Sequence, residues 1–187
     1  MINIVYATTN PAKFAEVSKL FAPHRIILHS PQEYGIQIDI EETGNTLEAN
    51  ATLKAETYRD QLPDNCIVLG DDTGVEIDAL HGEPGIKVRR WKGYSMTDEE
   101  IISYTLERLH GVSSAQRGAQ FRTVIAVSYK HHSTRTFSGI YRGVIRTQPL
   151  ATREAGFPFR SLFRGSHPTH RENAAKSALP YLSTLMN

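Results

Sequence analysis

Val68-Leu69-Gly70-Asp71-Asp72-Thr73-Gly74-Val75-Glu76-Ile77-Asp78-Ala79-Leu80 places two adjacent carboxylates at the end of an apolar run. The run, Ile67 to Leu69, reads as a buried strand, and Val75 to Leu80 as a short second strand. Neighbouring side chains of a strand face opposite ways. Asp71 and Asp72 therefore share one site only if the chain bends, and Thr73-Gly74 is where a bend is expected, because glycine tolerates a sharp turn. Two carboxylates at one strand end repel unless a proton or cation lies between them. Hard oxygen ligands of this kind suit Mg²⁺ or Mn²⁺. Asp is also an ordinary turn residue, so a surface Asp-Asp turn is the competing reading of these residues alone.

Upstream, Ile2 to Ala7 reads as a first strand running into Thr8-Thr9-Asn10-Pro11-Ala12-Lys13. Asn10 suits a helix N-cap and Pro11 the first helical position. Phe14, Val17, Leu20 and Phe21 give the helix, Pro11 to Phe21, one apolar face. A strand ending at a helix N-terminus presents free backbone N–H groups, and with Lys13 in the first turn these make an anion site. The glycines of a Walker loop are missing, and a well-capped ordinary helix is the alternative. Arg25 to His29 reads as a short strand, and Ile36, Ile38 and Ile40 alternate as in extended chain. The acidic Glu41-Glu42-Thr43-Gly44 precedes a helix capped by Asn45 or Thr46 and running to about Leu62, before Pro63. Leu47, Ala51, Ala55, Tyr58 and Leu62 are its core stripe. Asn50 and Lys54 lie one turn apart on another face. That face is either a solvated surface or the lining of a cleft with Lys54 aimed at phosphate.

Downstream, His81 to Gly85 is a turn cluster. Lys87, Arg89 and Arg90 beside Trp91 form either a solvated turn or a loop reaching a polyphosphate. Thr97-Asp98-Glu99-Glu100 opens a helix to about Leu109. Ala119 to Tyr129 is a long strand with Thr134 to Ile145 as its antiparallel partner, bent at Gly139 or Gly143. The pair lengthens the sheet away from the first core and implies a second lobe. Ala155 to Phe163 is aromatic and interrupted by Pro158, hence a loop. A last helix covers Arg171 to Met186, kinked or shortened by Pro180.

The chain has 187 residues and a net charge of +1, enough for one domain with a good core. No polybasic arm points to nucleic acid or a membrane surface. The single Cys66 excludes an internal disulfide and fits a reducing compartment. No apolar run approaches the ~20 residues of a membrane span. The N-terminus reads as a strand and not a signal peptide. The expectation is a soluble cytoplasmic protein.

The order strand–TTNPAK–helix, then EETGNTLEANATLKA, then LGDDTGVEIDALHGEPGI resembles the Ham1-type nucleoside triphosphate pyrophosphatases, the inosine/xanthosine triphosphatases. The likeness runs from Met1 to about Trp91 and more loosely beyond. It implies an α/β fold, a long mixed sheet flanked by helices in one domain, with two lobes and a central cleft, and a homodimer. It implies hydrolysis of a non-standard purine nucleoside triphosphate to the monophosphate and pyrophosphate, with Mg²⁺ as cofactor and Mn²⁺ as an alternative. Thr8, Thr9, Asn10 and Lys13 match the family's phosphate loop, and Asn50 and Lys54 its polar helix, although Ala49 replaces a Glu there. Asp71 through Leu80 match its D-D-S-G segment, with Thr73 for Ser. Glu41, Asp71 and Asp72 would hold the metal, and Asp72 would be the general base. Arg90 belongs to a partly matched P-G-x-x-S-A-R-Y.

The last third departs from that pattern. Where the family reads G-F-G-Y-D-P-x-F, this chain reads Gly156-Phe157-Pro158-Phe159-Arg160-Ser161-Leu162-Phe163. Phe157 and Phe159 would stack on the base, but Arg160 replaces an acid. A segment of about fifteen residues is missing. His170 and Arg171 remain of the S-H-R motif, with Thr169 for Ser, and no Lys aligns ahead of them. Keto purines offer an N1–H donor and an O6 acceptor. Exchanging an acceptor for the Arg160 donor fork alters which base is matched. Three readings stay open: a purine triphosphate pyrophosphatase of the inosine/xanthosine kind, the same chemistry with a moved base preference, and a nucleotide binder without turnover.

Overall fold

An apolar β-branched run without alternation forms a strand buried on both faces, which requires a parallel neighbour and helices above and below. The computed structural model, which describes residues 3–186, builds its sheet on two such runs. Strand β1 (Asn3–Ala7) lies parallel to β3 (Cys66–Ile77), from Asn3 opposite Cys66 to Ala7 opposite Gly70. Its other edge carries parallel β2 (Leu28–His29). Met1 and Ile2, expected at the head of the first strand, lie outside the described residues. β4 (Pro84–Gly85) pairs antiparallel with the far end of β3. The sheet continues through β5 (Gly118–Tyr129), β6 (Arg135–Ile145) and β7 (Phe163–Gly165). Among the described residues it has seven strands in the order β2-β1-β3-β5-β6-β7, with β4 also on β3. Only residues 130–134 link β5 to β6, too short a stretch for a parallel crossover, so the pair is antiparallel.

The helices start where the caps predict. Asn10 caps α1 (Pro11–Phe21), Thr46 caps α2 (Leu47–Arg59), and Thr97 with Glu100 forms a capping box on α3 (Asp98–Arg108). The last helix, α4 (His170–Met186), runs through Pro180 to its end. The mixed α/β sheet flanked by helices is the expected fold.

The chain forms two compact units. The first comprises Met1–Thr73, Thr123–Gly139 and His170–Asn187. Its core packs Ile4 and Tyr6, Val17 and Phe21, Ile67 and Leu69, Ile125 and Val127, and Ala174, Ala178 and Leu182. The second comprises Gly74–Arg122 and Ile140–Thr169. Its core gathers Val75, Ile77, Ile101, Leu109, Ile145, Phe159 and Leu162. There the buried Arg117 donates to the carbonyls of Leu109, Ile145 and Arg146, which satisfies a guanidinium that burial would otherwise penalise.

Four expectations change. β3 continues unbroken through Thr73-Gly74 to Ile77, and a 3₁₀ turn at Asp78–Leu80 stands where a second strand was expected. Residues 36–40 join no strand of the sheet. Helix α2 stops at Arg59, three residues before the expected Leu62. β6 passes unbroken through Gly139 and Gly143, which are glycine for lack of room: a Cβ would stand 2.1 Å from the His170 carbonyl oxygen at one and 2.3 Å from that of Arg164 at the other.

Candidate active site

Period-two alternation along β3 sends its odd and even residues to different helices. Ile67 and Leu69 enter the core shared with α1 and α4. Gly70 faces α2 so closely that a Cβ would lie 2.3 Å from the Ala51 carbonyl oxygen and 2.7 Å from the Ala55 nitrogen. Asp71 follows the odd face, where both its oxygens meet Lys13 Nζ, at 3.1 and 3.4 Å. Asp72 follows the even face, where its Oδ2 accepts from Asn50 Nδ2 at 3.1 Å and its Oδ1 lies 3.8 Å from Lys54 Nζ. Both acids sit just past Gly70, the last β3 residue paired with β1. That is the carboxyl end of the parallel pair, where open α/β sheets place their ligands.

The two carboxylates are buried but not alike. Burial alone would raise Asp71; Lys13, Lys54 and Arg171 outweigh it and, with the adjacent Tyr6 hydroxyl, hold the carboxyl well below the usual range. Burial together with the like charge of Glu42 lifts Asp72 above its ordinary value, against the pull of Lys54 and Asn50. Burial opposes the Lys54 charge, but Asp71, Asp72 and Glu42 together raise its pKa. Two adjacent acids driven apart in this way are suited to different roles, one permanently ionised and one a proton acceptor.

Asn50 is itself held. Its Oδ1 accepts from the Gly44 amide at 2.8 Å, and a Cβ on Gly44 would stand 2.5 Å from that oxygen. Gly44, after the acidic pair, is therefore what lets this segment close on α2. Of that pair, Glu42 meets Lys54 Nζ at 2.7 Å. Glu41 is exposed and makes no hydrogen bond or ion pair to any described residue. Of the two, Glu42 is the one that reaches the site. Among the described residues no three His, Cys, Asp or Glu side chains are gathered to hold a metal, so the expected set of Glu41, Asp71 and Asp72 is not assembled here.

At the start of α1, Asn10 Oδ1 accepts from the amides of Ala12 and Lys13, at 2.9 and 3.2 Å, and Thr8 Oγ1 accepts from the Asn10 amide. Pro11 has no N–H. The free N–H groups expected at this helix end are thus already satisfied, and Lys13 supplies the positive charge. Thr9 is exposed, with no bond to a described residue.

Thr73 Oγ1 lies 2.6 Å from Thr123 Oγ1, which lies 2.6 Å from His170 Nδ1. Arg171, almost buried, donates to Glu16 at 3.2 Å. Sequence reasoning missed Thr123, Tyr6 and Glu16. A lone Thr inside the apolar run after Phe121 was the available signal for the first.

In the second unit Phe159 is a core residue, 2% exposed and packed edge-on against Phe121 at 6.0 Å. It is not available to stack on a base, which corrects that expectation. The Arg160 guanidinium lies over the Phe157 ring, 3.9 Å from its centre, and pairs with Glu154. Arg90 is exposed on the 3₁₀ turn Val88–Arg90.

The sequence pattern of the Ham1 family matches residues 4–177. The dITP/XTP pyrophosphatase of Bacillus subtilis (strain 168) is 36% identical over 163 residues, covering 87% of this chain and 80% of that protein. The dITP/XTP pyrophosphatase of Christiangramia forsetii is 34% identical over 97% of this chain and all of that one. The Staphylococcus aureus Ham1 protein superposes with a TM-score of 0.80 at 30% identity, over 97% of this chain and 98% of that one. A HAM1 protein from Coxiella burnetii gives 0.74 at 30% identity, over 100% and 98%. With its sequence matched from the first strand into the last helix and its fold shared by solved members, this chain belongs to the Ham1 family.

Proposed function

We propose that this chain hydrolyses nucleoside triphosphates to the monophosphate and pyrophosphate, with non-standard purines of the inosine and xanthosine kind as substrates. The relatives named dITP/XTP pyrophosphatases support the reaction. The observation that carries it in this chain is the Lys13–Asp71 and Lys54–Asp72–Glu42 arrangement around one strand end. A nucleoside triphosphate carries about four negative charges and needs cations to approach these acids. Lys13 and Lys54 supply two, and Thr8, Thr9 and Asn10 line the adjoining loop.

The donor set fits a divalent ion. Glu42 and Asp72 both lie within reach of one ammonium, and Mg²⁺ is commonly bound by one or two carboxylates with phosphate and water completing its shell. Such an ion would neutralise phosphate charge and polarise the α-phosphorus. Asp72, lifted by burial and fixed by Asn50, accepts the proton of the attacking water and orients it. Asp71 stays ionised and holds Lys13 in place. The water oxygen joins the α-phosphorus, the bond to the β-phosphate bridging oxygen breaks, and pyrophosphate leaves toward the lysines.

One observation favours a second reading, a moved base preference. Phe157 would be the stacking ring, and Arg160, which only donates hydrogen bonds, lies on it. A homodimer is carried into this reading from the family likeness, and a cytoplasmic location from the single Cys66, which fits a reducing compartment. Pyrophosphate release measured over ITP, XTP, GTP, ATP and pyrimidine triphosphates, with Mg²⁺ and with chelator, tests all of this. Release led by ITP and XTP and abolished by chelator is expected. Release led by another base favours the second reading, and no release from any triphosphate overturns hydrolysis.

A further inference from the structure

The chain enters or leaves its first unit at four places, and the first-unit residues there are Thr73, Thr123, Gly139 and His170. All four are tied together. Thr123 Oγ1 is 2.6 Å from both Thr73 Oγ1 and His170 Nδ1. The Gly139 backbone presses on the His170 carbonyl, where a Cβ would stand 2.1 Å away. Thr123 is fully buried and His170 is 8% exposed.

Thr123 is the middle of this row. A hydroxyl has one proton and two acceptor lone pairs, so Thr123 donates to at most one of its two neighbours. If His170 Nδ1 accepts, Thr123 donates to it and Thr73 donates to Thr123; if Nδ1 carries the proton, Thr123 accepts from it and bonds Thr73 as donor or acceptor. Either order fixes the Thr73 side chain, and the Thr73 amide donates to Asp72 Oδ1 at 2.9 Å. Asn50 holds the other Asp72 oxygen, Oδ2.

We propose that Thr123 is a positioning residue: its hydroxyl, clamped between Thr73 and His170, fixes the Thr73 peptide and through it the direction of the Asp72 carboxylate. This rests on the role of Asp72 in the hydrolysis proposed above. Thr123→Val keeps the branched shape and removes the hydroxyl, while Thr123→Ser keeps the hydroxyl. The Val variant is expected to lose about 10–100-fold in kcat, the scale of a lost outer partner, with KM within about twofold and the Ser variant within about threefold of the parent. If the Val variant does not fold, Thr123→Cys, a weak donor, takes its place with the same expectation. Unchanged kcat in the Val variant, or a Ser variant as slow as Val, overturns the proposal. ¹⁵N NMR of the His170 ring separates it from the hydrolysis reading. A parent that cleaves no triphosphate sinks hydrolysis alone, whereas His170 signals identical in parent and Val variant sink the Thr123 link whatever the activity.

Discussion

Replacing Asp71 and Asp72 in turn by asparagine tests the opposite electrostatic settings of two neighbours. Asp71→Asn leaves Lys13, Lys54 and Arg171 around a neutral amide. Removing one partner of a buried pair costs about 3–5 kcal/mol. The Lys13 side chain keeps 21% of its exposure, so solvent recovers part of that, and about 3 kcal/mol applies. At about 2–4 °C per kcal/mol for a chain of this length, Tm falls by about 6–12 °C. Asp72→Asn removes a charge that the fold holds at a cost, since burial and Glu42 raise its pKa. That relief offsets one lost acceptor, about 1 kcal/mol, and Lys54 keeps Glu42 at 2.7 Å. Its Tm therefore stays within about 4 °C of the parent, while pyrophosphate release is lost. The pH dependence differs in sign. A raised carboxyl takes up its proton in the folded state first, so the parent gains on Asp72→Asn as pH falls from 7 toward about 4. A depressed carboxyl contributes stability above its unfolded value and loses it as pH falls through the folded one, so the gap to Asp71→Asn holds down to about pH 4 and closes below. Thermal unfolding followed by circular dichroism in metal-free buffer of fixed ionic strength reads both. Equal destabilisation by the two substitutions would refute the assignment of opposite settings.

Lys13→Ala removes a charge-assisted partner of phosphate and is expected to raise KM by about 10–100-fold; an unchanged KM in steady-state kinetics would mean that the α1 entrance does not hold phosphate. Arg160→Asp uncovers the Phe157 ring and restores an acceptor, so the substrate ranking is expected to move toward keto purines; an identical ranking would show that residue 160 does not meet the base. Gly44→Ala puts a methyl group 2.5 Å from Asn50 Oδ1 and is expected to slow turnover by at least about tenfold through the Asn50–Asp72 bond; unaltered kcat would detach Gly44 from the site. Lys54→Met removes the main force holding the Asp72 pKa down, so the acid limb of the kcat/KM profile is expected at higher pH. A limb that stays in place or moves lower would take the proton-accepting role from Asp72.

Local chemistry was legible in the sequence. Asn10-Pro11, Thr46 and Thr97 mark the helix starts where the structure has them, because capping depends on a residue and its next three neighbours. Contacts that depend on a distant partner were not legible. The choice of Glu42 over Glu41 follows from the approach of Lys54, twelve residues on. The loss of Phe159 to the core follows from Phe121, and the place of Thr123 follows from two residues fifty and forty-seven positions away. Gly139 and Gly143 look like bend points in sequence; only the packed helix and strand show that each is a close approach.

The alternation along β3 bears on mechanism. Both aspartates on one face would put like charges a few ångströms apart, where they couple and neither carboxyl has a fixed role. The continuous strand turns them to different partners. Asp71 faces the cations Lys13 and Arg171 and is held ionised; Asp72 faces Asn50 and Glu42 and is pushed toward protonation. Lys54 acts on both, so the charge state of one acid is felt at the other through a shared cation. The same β3 segment can therefore hold a permanent charge and a proton acceptor in adjacent residues, provided that the strand stays unbroken and a glycine at position 70 lets α2 come close enough to deliver Asn50 and Lys54.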